Sequence, residues 1–244
     1  MLVSVVTITY KDLSGLRKTI SSVLEQNYKH ISYLIVDGGE DLDQILNLPE
    51  YNSRIKVVSE PDGGIYDAMN KGAYLSDANY LIYMNSGDTF YGADSLSVLV
   101  ENIDGNSIVL GGYEAVYSSK YRYKRYVNKP ISFIGGMPFC TQSALIPTEL
   151  IVSGNGFDLN YKIYSDWSWF WDMYNLGVTF IVVDEIVSSF DKTGVSSNGN
   201  VLERYNESAR VLRSKGRKGY CRIWVMIKNF IKKITPLKVM NLFR

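Results

Sequence analysis

The first hundred residues alternate between short apolar runs and segments with helical spacing. The apolar runs are rich in β-branched side chains and occur in LVSVVTITY, YLIVDGG, IKVVSE and NYLIYMNSGD. LRKTISSVLEQ and IYDAMNKGAYLS instead repeat their apolar residues every three or four positions, which predicts helices between the strands. Apolar strands that alternate with helices are typical of a parallel sheet covered on both faces. The pattern therefore predicts a doubly wound α/β fold.

Polar residues and glycines follow each of these four strands, at residues 10–12, 37–39, 60–64 and 85–88. In open α/β sheets, ligands bind beyond the carboxyl ends of the strands. Aspartate and glycine are also ordinary turn residues after any strand. Because the clusters follow four strands in succession, we expect one shared binding site.

The second half of the chain is less regular. SIVLGGYEAVY and KYRYKRYV alternate as antiparallel strands do, and GMPFCTQSALIP indicates a loop that leads into a buried strand. SDWSWFWDMYNLG predicts a helix that ends at Gly177, and TFIVVDEIVSSF predicts a further pair of strands. No repeat or Pro/Ser-rich linker interrupts the pattern. We expect one domain with a carboxyl-terminal extension, divided near residues 202–215.

Composition excludes several classes of protein. The chain has 244 residues, of which 46% are hydrophobic and 21% charged, as in a soluble globular protein rather than a disordered one. No apolar run approaches the roughly 18–20 residues of a membrane span. The first residues, MLVSVVTITYKD, lack the charged start and cleavage site of a signal peptide. We expect the chain to stay in the cytoplasm.

The chain has too few histidine and cysteine residues for most zinc sites and for most active sites that use a histidine or cysteine. The two cysteines, Cys140 and Cys221, provide neither a disulfide framework nor a four-ligand zinc site. A serine triad or a histidine-based zinc hydrolase would depend on His30 alone. An enzyme with this sequence would use carboxylates as its acids and bases, and any metal would be a hard cation bound by oxygen.

Acidic and basic residues are distributed unevenly along the chain. Residues 1–210 hold 16 basic and 25 acidic side chains, a net charge of −9, whereas residues 211–244 hold 10 basic side chains and no acidic one. An acidic body argues against a general nucleic-acid binder. The segment YCRIWVMIKNFIKKI, residues 220–234, predicts a basic amphipathic helix of the kind that lies on an anionic membrane surface. Its apolar face would alternatively pack on the domain or on a second subunit as a homodimer.

Taken in order, TITY, SVLEQNY, IVDGG, EPDGGIYDAMNKG, NSGD and SDWSWF resemble bacterial glycosyltransferase family 2, which has the GT-A fold. The resemblance covers about residues 2–195, and residues 60–72 are similar to many bacterial surface-polysaccharide transferases. It implies a mostly parallel doubly wound sheet with flanking helices and a small antiparallel element. Residues 1–205 would form the GT-A domain, with a nucleotide-sugar half (about 1–110) and an acceptor half (about 111–205), and 206–244 would form the extension.

The resemblance implies that the strand ends bind the nucleotide sugar. Asp37 would accept a hydrogen bond from the base, Gly63 would allow close approach of the backbone, and Lys71 would offset diphosphate charge. Met69 stands where the wider family usually has arginine. The implied donor-site residues are Thr9, Tyr10, Asp37, Gly38, Asp62, Gly63, Asp67, Asn70, Lys71, Asn85, Ser86, Gly87 and Asp88.

The same resemblance implies a metal ligand. Asp88, at the end of NSGD, would bind Mg²⁺ or Mn²⁺ together with water and phosphate oxygens. Asn85 and Gly87 replace aspartates found in other members, so we expect weak metal binding without donor. The simpler interpretation of Asp88 is an Asx turn after a strand.

Asp166 in SDWSWF matches the family's catalytic base, although Ser165 replaces a usual glutamate. It would alternatively be an ordinary carboxylate at a helix N-terminus. In CTQS, Thr141 replaces a frequent histidine, and Gln142 and Trp167 are expected on the acceptor side. Residues 194–197, GVSS, resemble a loop that closes over the diphosphate in some members.

These inferences lead to one main hypothesis. The chain would be an inverting glycosyltransferase that moves a hexose or N-acetylhexosamine from a nucleotide diphosphate sugar, with UDP favoured, to a saccharide acceptor. The acceptor would be carried on polyprenyl diphosphate, in O-antigen, capsule or exopolysaccharide assembly at the inner face of the plasma membrane. The alternatives are a nucleotidyltransferase and a membrane-associated nucleotide-sugar-binding protein with weak or no turnover.

Overall fold

The structure is a computed structural model and describes residues 1–118, 121–192 and 201–217. Nine strands are found: β1 Val3–Thr9, β2 Ile31–Asp37, β3 Ile55–Ser59, β4 Tyr80–Tyr83, β5 Thr89–Phe90, β6 Ile108–Ser118, β7 Tyr121–Arg125, β8 Ala144–Pro147 and β9 Phe180–Asp191. The helices are α1 Leu13–Leu24, α2 Leu42–Leu46, α3 Ile65–Tyr74, α4 Ser95–Glu101, α5 Thr148–Val152, α6 Ser165–Asn175 and α7 Val201–Ser214, with a 3₁₀ turn at Thr141–Ser143.

The nine strands form one sheet in the order β3-β2-β1-β4-β8-β6-β9-β5, and β7 pairs with β6 as a hairpin. Strands β3, β2, β1 and β4 run parallel, so their carboxyl ends meet at one edge. Strand β8 is antiparallel to both β4 and β6, whereas β6 and β9 are parallel. The predicted parallel half and small antiparallel element are thus both confirmed.

Both faces of the sheet are covered, as the doubly wound prediction requires. Alternate residues of β1 enter opposite cores: Val3 and Val5 pack on the side of α1 and α4, and Val6 and Ile8 on the side of α3 and α6. Gly72 lets α3 lie close to β1, because a Cβ there would come within 2.3 Å of Val6 Cγ1. This close packing sets the position of the loop that precedes α3.

The structure corrects one predicted element and adds others. The segment predicted as a pair of strands is the single strand β9, which pairs with β6 on one side and β5 on the other. Helices α2, α4, α5 and α7, the 3₁₀ turn and strand β5 are additions. The division between residues 205 and 206 stays a prediction, and α7 crosses it with Val211 and Leu212 fully buried. The predicted closing loop at residues 194–197 and the predicted basic helix at 220–234 lie outside the described residues.

Helix α7 anchors the segment that leads into α6. The Glu207 carboxylate, which is 8% exposed, accepts hydrogen bonds from three successive backbone amides, those of Lys162, Ile163 and Tyr164. A carboxylate that accepts several backbone N–H bonds fixes the local chain path, because each bond is charge-assisted. Glu207 therefore holds the chain directly before Asp166.

Within the described part of the chain, no helix is long and apolar enough to cross a bilayer.

Candidate active site

Asp166 lies in the first turn of α6, and three donors fix its carboxylate. Oδ1 accepts from the Tyr66 hydroxyl at 2.9 Å and from the Trp167 backbone amide at 2.8 Å. Oδ2 accepts from Thr141 Oγ1 at 2.8 Å. Burial raises the pKa of the Asp166 carboxyl, and hydrogen bonds from Thr141, from the Trp167 amide and from Tyr66 oppose that rise. The carboxyl is thus held in one orientation with a pKa above its usual range.

The Tyr66 hydroxyl has one proton but two acceptors. Its oxygen lies 2.7 Å from the Ile163 carbonyl and 2.9 Å from Asp166 Oδ1. When Asp166 is ionised, Tyr66 can donate to it; when Asp166 is protonated, the acid can donate to Tyr66 while Tyr66 donates to Ile163. The network therefore accommodates both protonation states of Asp166, as a group that takes up a proton requires.

The loop of residues 85–88 is held from behind by α1. The buried Thr19 hydroxyl donates to the Asp88 carbonyl at 2.7 Å and accepts from the Gly87 amide at 3.1 Å. Ser86 Oγ donates to Asp12 Oδ2 at 2.9 Å. Gly87 has φ +91°, a conformation that favours glycine, and a Cβ there would face open space. The loop is fixed on the α1 side and open on the other.

Asp88 is buried without a lysine or arginine partner at ion-pair distance in the described structure. Its Oδ1 accepts from the Asp191 amide at 2.8 Å. Burial raises the pKa of the Asp88 carboxyl well above its usual range, and Lys192 and the Gln142 side chain act in the opposite direction. The structure thus places Gln142, expected on the acceptor side, against the candidate metal ligand.

The described residues include no group of three or more His, Cys, Asp or Glu side chains that could hold a metal. Nevertheless, two oxygen donors of the 85–88 loop suit a hard cation. The Asn85 side-chain oxygen is buried with no hydrogen-bond partner, and Asp88 is a buried carboxylate. Mg²⁺ commonly takes one or two protein carboxylates and completes its shell with water and substrate phosphates. Asp88 and Asn85 therefore fit a divalent metal that arrives with a diphosphate.

Asp37 organises the end of β2. Its side chain is fully buried, and Oδ1 accepts from the Gly39 amide at 2.9 Å. Oδ2 accepts from the Asp41 amide and from Ser59 Oγ, both at 2.7 Å. These bonds fix the loop after β2 and join it to β3. The base-reading role of Asp37 stays a prediction, and the structure gives the carboxylate a local structural role.

Thr9 and Tyr10 end β1 beside Asp37. Thr9 pairs with Asp37 in the sheet and is buried, and its carbonyl accepts from the Gly38 amide at 3.0 Å. Tyr10 is 64% exposed, so its ring is accessible at the edge where the strands end. The Asp62 side chain packs directly against Gly38, since a Cβ on that glycine would lie 1.9 Å from Asp62 Oδ2. These contacts bring two of the predicted clusters together.

Residues 60–64 form a loop that is tied to the helix that follows it, α3. Lys71 Nζ lies 3.0 Å from Glu60 Oε1 and 3.6 Å from Asp67 Oδ2, and donates to the Pro61 carbonyl at 2.8 Å. The Gly63 amide donates to Asp67 Oδ2 at 2.8 Å. The Lys71 ammonium is therefore engaged within the loop, which argues against the predicted role of offsetting diphosphate charge.

Two predicted site residues, Asn70 in the donor site and Trp167 on the acceptor side, are buried and hydrogen-bonded to backbone groups. Asn70 does not share the exposed face of Asp67 and Lys71, because its side chain is buried and exchanges hydrogen bonds with the backbone N–H and C=O of Phe157. Trp167 is only 2% exposed, and its indole N–H donates to the Phe133 carbonyl. Both side chains stabilise the core, Trp167 also lines the cavity that contains Asp166, and the predicted roles of both residues stay predictions.

A cavity of about 290 Å³ joins these parts. Its lining includes Asp166, Thr141, Gln142 and Asn85, together with the cationic side chains of Arg125, Lys192 and Arg204. The candidate base and Asn85, the first residue of the 85–88 loop, therefore line the same cavity, together with Gln142. This arrangement suits a reaction in which a proton is removed close to a bound metal–phosphate group.

The model of the family described as "Glycosyl transferase family 2" matches residues 4–152, more than half of the chain. The chain belongs to glycosyl transferase family 2. An uncharacterized glycosyltransferase of Mycobacterium tuberculosis is 31% identical over 204 residues, which cover 80% of this chain and 77% of that protein. A PGL/p-HBAD biosynthesis glycosyltransferase of the same species is 24% identical over 246 residues, covering 98% and 94%.

Solved structures share the fold of this family 2 chain. The S. aureus TarS fragment 1–349 in complex with UDP-GlcNAc has a TM-score of 0.67 at 13% identity, covering 98% of this chain and 78% of that one. The mannosyltransferase PcManGT of Pyrobaculum calidifontis, in complex with GDP-Man and Mn²⁺, has a TM-score of 0.66 at 14% identity, covering 98% and 77%. The predicted GT-A fold is confirmed.

The sequence analysis did not predict the residues that hold Asp166, the candidate base, in place. These residues are Tyr66, Thr141 and Glu207. Tyr66 lies within the motif EPDGGIYDAMNKG, and Thr141 stands at a position where histidine is frequent. Both donate directly to Asp166, and Glu207 holds the preceding backbone. The replacement of a frequent histidine by a hydroxyl residue is a signal that could have drawn attention to Thr141, whereas Tyr66 gave no such signal.

The two hydroxyl donors yield a prediction for the pH dependence of transfer. As the catalytic base, Asp166 would have to be ionised to accept a proton, so turnover would decline as the pH falls through its pKa. Because Thr141 and Tyr66 lower that pKa, Thr141→Val and Tyr66→Phe should raise it and move the decline to higher pH. The measurement is kcat against pH for each variant.

Tyr83→Phe is the matched control, because the Tyr83 hydroxyl is also buried and donates to a backbone carbonyl, that of Met69 in α3. It makes no contact with Asp166, so the acid limb should stay in place. If both test variants kept the wild-type acid limb, the proposed control of Asp166 ionisation would be wrong.

Proposed function

We propose that this chain is an inverting hexosyltransferase that uses a nucleotide diphosphate sugar, with UDP-sugar favoured, and a saccharide acceptor. The observation that carries the proposal is the cavity lined both by the triply hydrogen-bonded Asp166 carboxylate and by Asn85, the first residue of the 85–88 loop. The ligands of the TarS and PcManGT complexes, UDP-GlcNAc and GDP-Man, belong to the same chemical class. They support a nucleotide-sugar donor.

In this proposal Asp166 is the catalytic base. Its carboxylate removes the proton of the acceptor hydroxyl as the acceptor oxygen forms a bond to the anomeric carbon. The bond from that carbon to the diphosphate breaks on the opposite face, and the nucleoside diphosphate leaves with the bonding electrons. Burial raises the pKa of Asp166, and a carboxylate with a higher pKa is a stronger general base. Tyr66 and Thr141 hold the carboxylate in place.

A divalent metal, Mg²⁺ or Mn²⁺, would be held by Asp88 with the Asn85 side-chain oxygen beside it. Such an ion supplies positive charge that stabilises a departing diphosphate. Asp88 has no ion-pair partner of its own in the part of the chain described, so an added cation would also relieve the cost of its burial. The Mn²⁺ of the PcManGT complex supports metal use.

We further propose that the acceptor is lipid-linked and that the protein acts at the inner face of the plasma membrane in surface-polysaccharide assembly. The basic amphipathic pattern of residues 220–234 and the tail charge of 10 basic and no acidic residues support this. The name of the mycobacterial PGL/p-HBAD biosynthesis relative is compatible with a lipid-linked acceptor.

A thermal-shift screen tests the donor proposal. The full chain is heated with UDP-, GDP-, dTDP- and CMP-sugars, each with Mn²⁺, with Mg²⁺ or with EDTA. A ligand at 100 times its Kd stabilises the folded state by about 2.7 kcal/mol, which raises Tm by several degrees in a domain of this size. We expect a metal-dependent rise with one nucleotide class.

Two other outcomes would change the conclusion. No rise with any donor, in protein that melts cooperatively, would contradict the donor site. A rise without transfer to any acceptor tried would favour the binding-protein alternative, which the replacement of aspartates by Asn85 and Gly87 also motivates.

A further inference from the structure

Arg125 ends strand β7 and lines the cavity that contains Asp166. Its guanidinium is half-buried, and its Nη1 donates to the Tyr113 hydroxyl at 3.4 Å. It also contacts the Tyr123 side chain. Across residues 1–118, 121–192 and 201–217, no carboxylate lies within ion-pair distance of Arg125.

The other arginine of the same strand, Arg122, has a carboxylate partner. Arg122 Nη1 lies 3.3 Å from Glu114 Oε2, and that glutamate is 8% exposed as a residue. The hairpin therefore provides a buried anion for the exposed Arg122 and only phenols for the half-buried Arg125. Burying a cation without an anion is unfavourable. The burial of Arg125 among tyrosines, without a carboxylate partner, therefore requires an explanation.

A guanidinium has five N–H donors in a planar fork that matches the oxygens of a phosphate or carboxylate. A long contact to Tyr113 and a contact to Tyr123 leave much of that capacity directed at the cavity. Lys192 lines the same cavity and adds a second positive charge. Asp166 is the cavity's acid, and its oxygens already accept from Thr141, Tyr66 and Trp167.

We propose that Arg125 binds an anionic group, a phosphate or carboxylate, of a molecule that occupies this cavity. Two sources have this chemistry: the diphosphate of the donor and an acid group on the acceptor saccharide. The second source would make Arg125 a specificity determinant that selects acidic or phosphorylated acceptors. The anion site itself does not depend on sugar transfer; only the identity of its natural ligand rests on the proposed function.

The test is a calorimetric titration of the full chain with inorganic phosphate at low ionic strength. Arg125→Gln should weaken phosphate binding by about tenfold or more, because it removes the charge and the fork. Arg125→Lys keeps the charge but not the fork, so its affinity should fall between the two. Lys124→Gln is the control, since Lys124 is an exposed cation of the same strand that lies over the Tyr91 ring. Its phosphate affinity should match the wild type.

A second titration, with saturating UDP and Mn²⁺, separates the two sources. Competition between UDP and phosphate would assign Arg125 to the donor diphosphate, and undiminished phosphate binding would assign it to the acceptor. Equal phosphate affinity in wild type and Arg125→Gln, or no saturable binding at all, would overturn the proposal. A chain that binds phosphate through Arg125 but binds no nucleotide sugar would reject the proposed function and keep the anion site.

Discussion

Replacing Asp166 by asparagine is expected to lower kcat by about 10²–10⁴-fold, the contribution typical of a positioned general base. Asparagine keeps the size of the side chain but cannot take up the acceptor proton. With its NH₂ group in place of Oδ2, asparagine can donate to Thr141 Oγ1 while its oxygen keeps the bonds from Tyr66 and the Trp167 amide. The measurement is the initial rate of sugar transfer at saturating donor, with donor Kd measured in parallel.

Asp172→Asn is the matched control for this prediction. Asp172 lies on the same helix, with its side chain 51% exposed and paired with Lys215. Its replacement should leave kcat unchanged, and both variants should keep the donor Kd. Full transfer by Asp166→Asn would show that another group removes the proton. A higher Kd for the donor in Asp166→Asn would instead show that Asp166 contributes to donor binding.

Asp88→Asn is expected to lower the activity but to raise the melting temperature in the absence of metal. Loss of the carboxylate should lower kcat by about 10²-fold or more and abolish stimulation by metal, because the remaining amide oxygens bind Mg²⁺ or Mn²⁺ weakly. In EDTA the same variant should melt at a higher temperature than the wild type, because the neutral amide is less costly to bury than an ionised carboxylate. Its oxygen can still accept from the Asp191 amide.

The Tm difference between Asp88→Asn and the wild type should increase with pH. Because burial raises the folded-state pKa of Asp88, the folded state binds the proton more tightly than the unfolded state. The wild type therefore loses stability as the pH rises from the unfolded pKa toward the folded one. The Tm difference between variant and wild type should be small in acid and largest at high pH. A lower Tm for the variant at high pH would contradict this account.

Asp94→Asn provides the comparison. Asp94 is an exposed carboxylate beyond β5 that accepts from Asn27, and it lies outside the cavity. Its replacement should leave the response to metal unchanged.

Local sequence pattern predicted the strands and their polar ends well, because the period of apolar residues is set within a few neighbouring positions. The alternation of Val3, Val5, Val6 and Ile8 between two cores is visible in the sequence itself. Pattern could not decide whether residues 180–191 make one strand or two. Strand β9 is continuous because β6 and β5 pair with it, and those partners are far away in the sequence.

Long-range contacts also explain the site residues that were missed or misplaced. Tyr66 and Asp166 are 100 residues apart, and Asn70 and Phe157 are 87 apart. Helical spacing gave the direction of Asn70 relative to Asp67 but not which surface α3 would pack against. The family resemblance supplied Asp88 and Asp166, whereas the hydroxyl donors to Asp166 became recognisable only once distant segments were placed side by side.

The anchoring of residues 162–164 by Glu207 has a consequence for biosynthesis. A ribosome completes α6 and Asp166 before it adds α7, so the nascent chain holds the base on a segment whose three backbone amides have no carboxylate to bind. The amides are satisfied only when α7 emerges and docks its Val211 and Leu212 into the core. Glu207 can therefore fix the segment before Asp166 only after α7 has been synthesised.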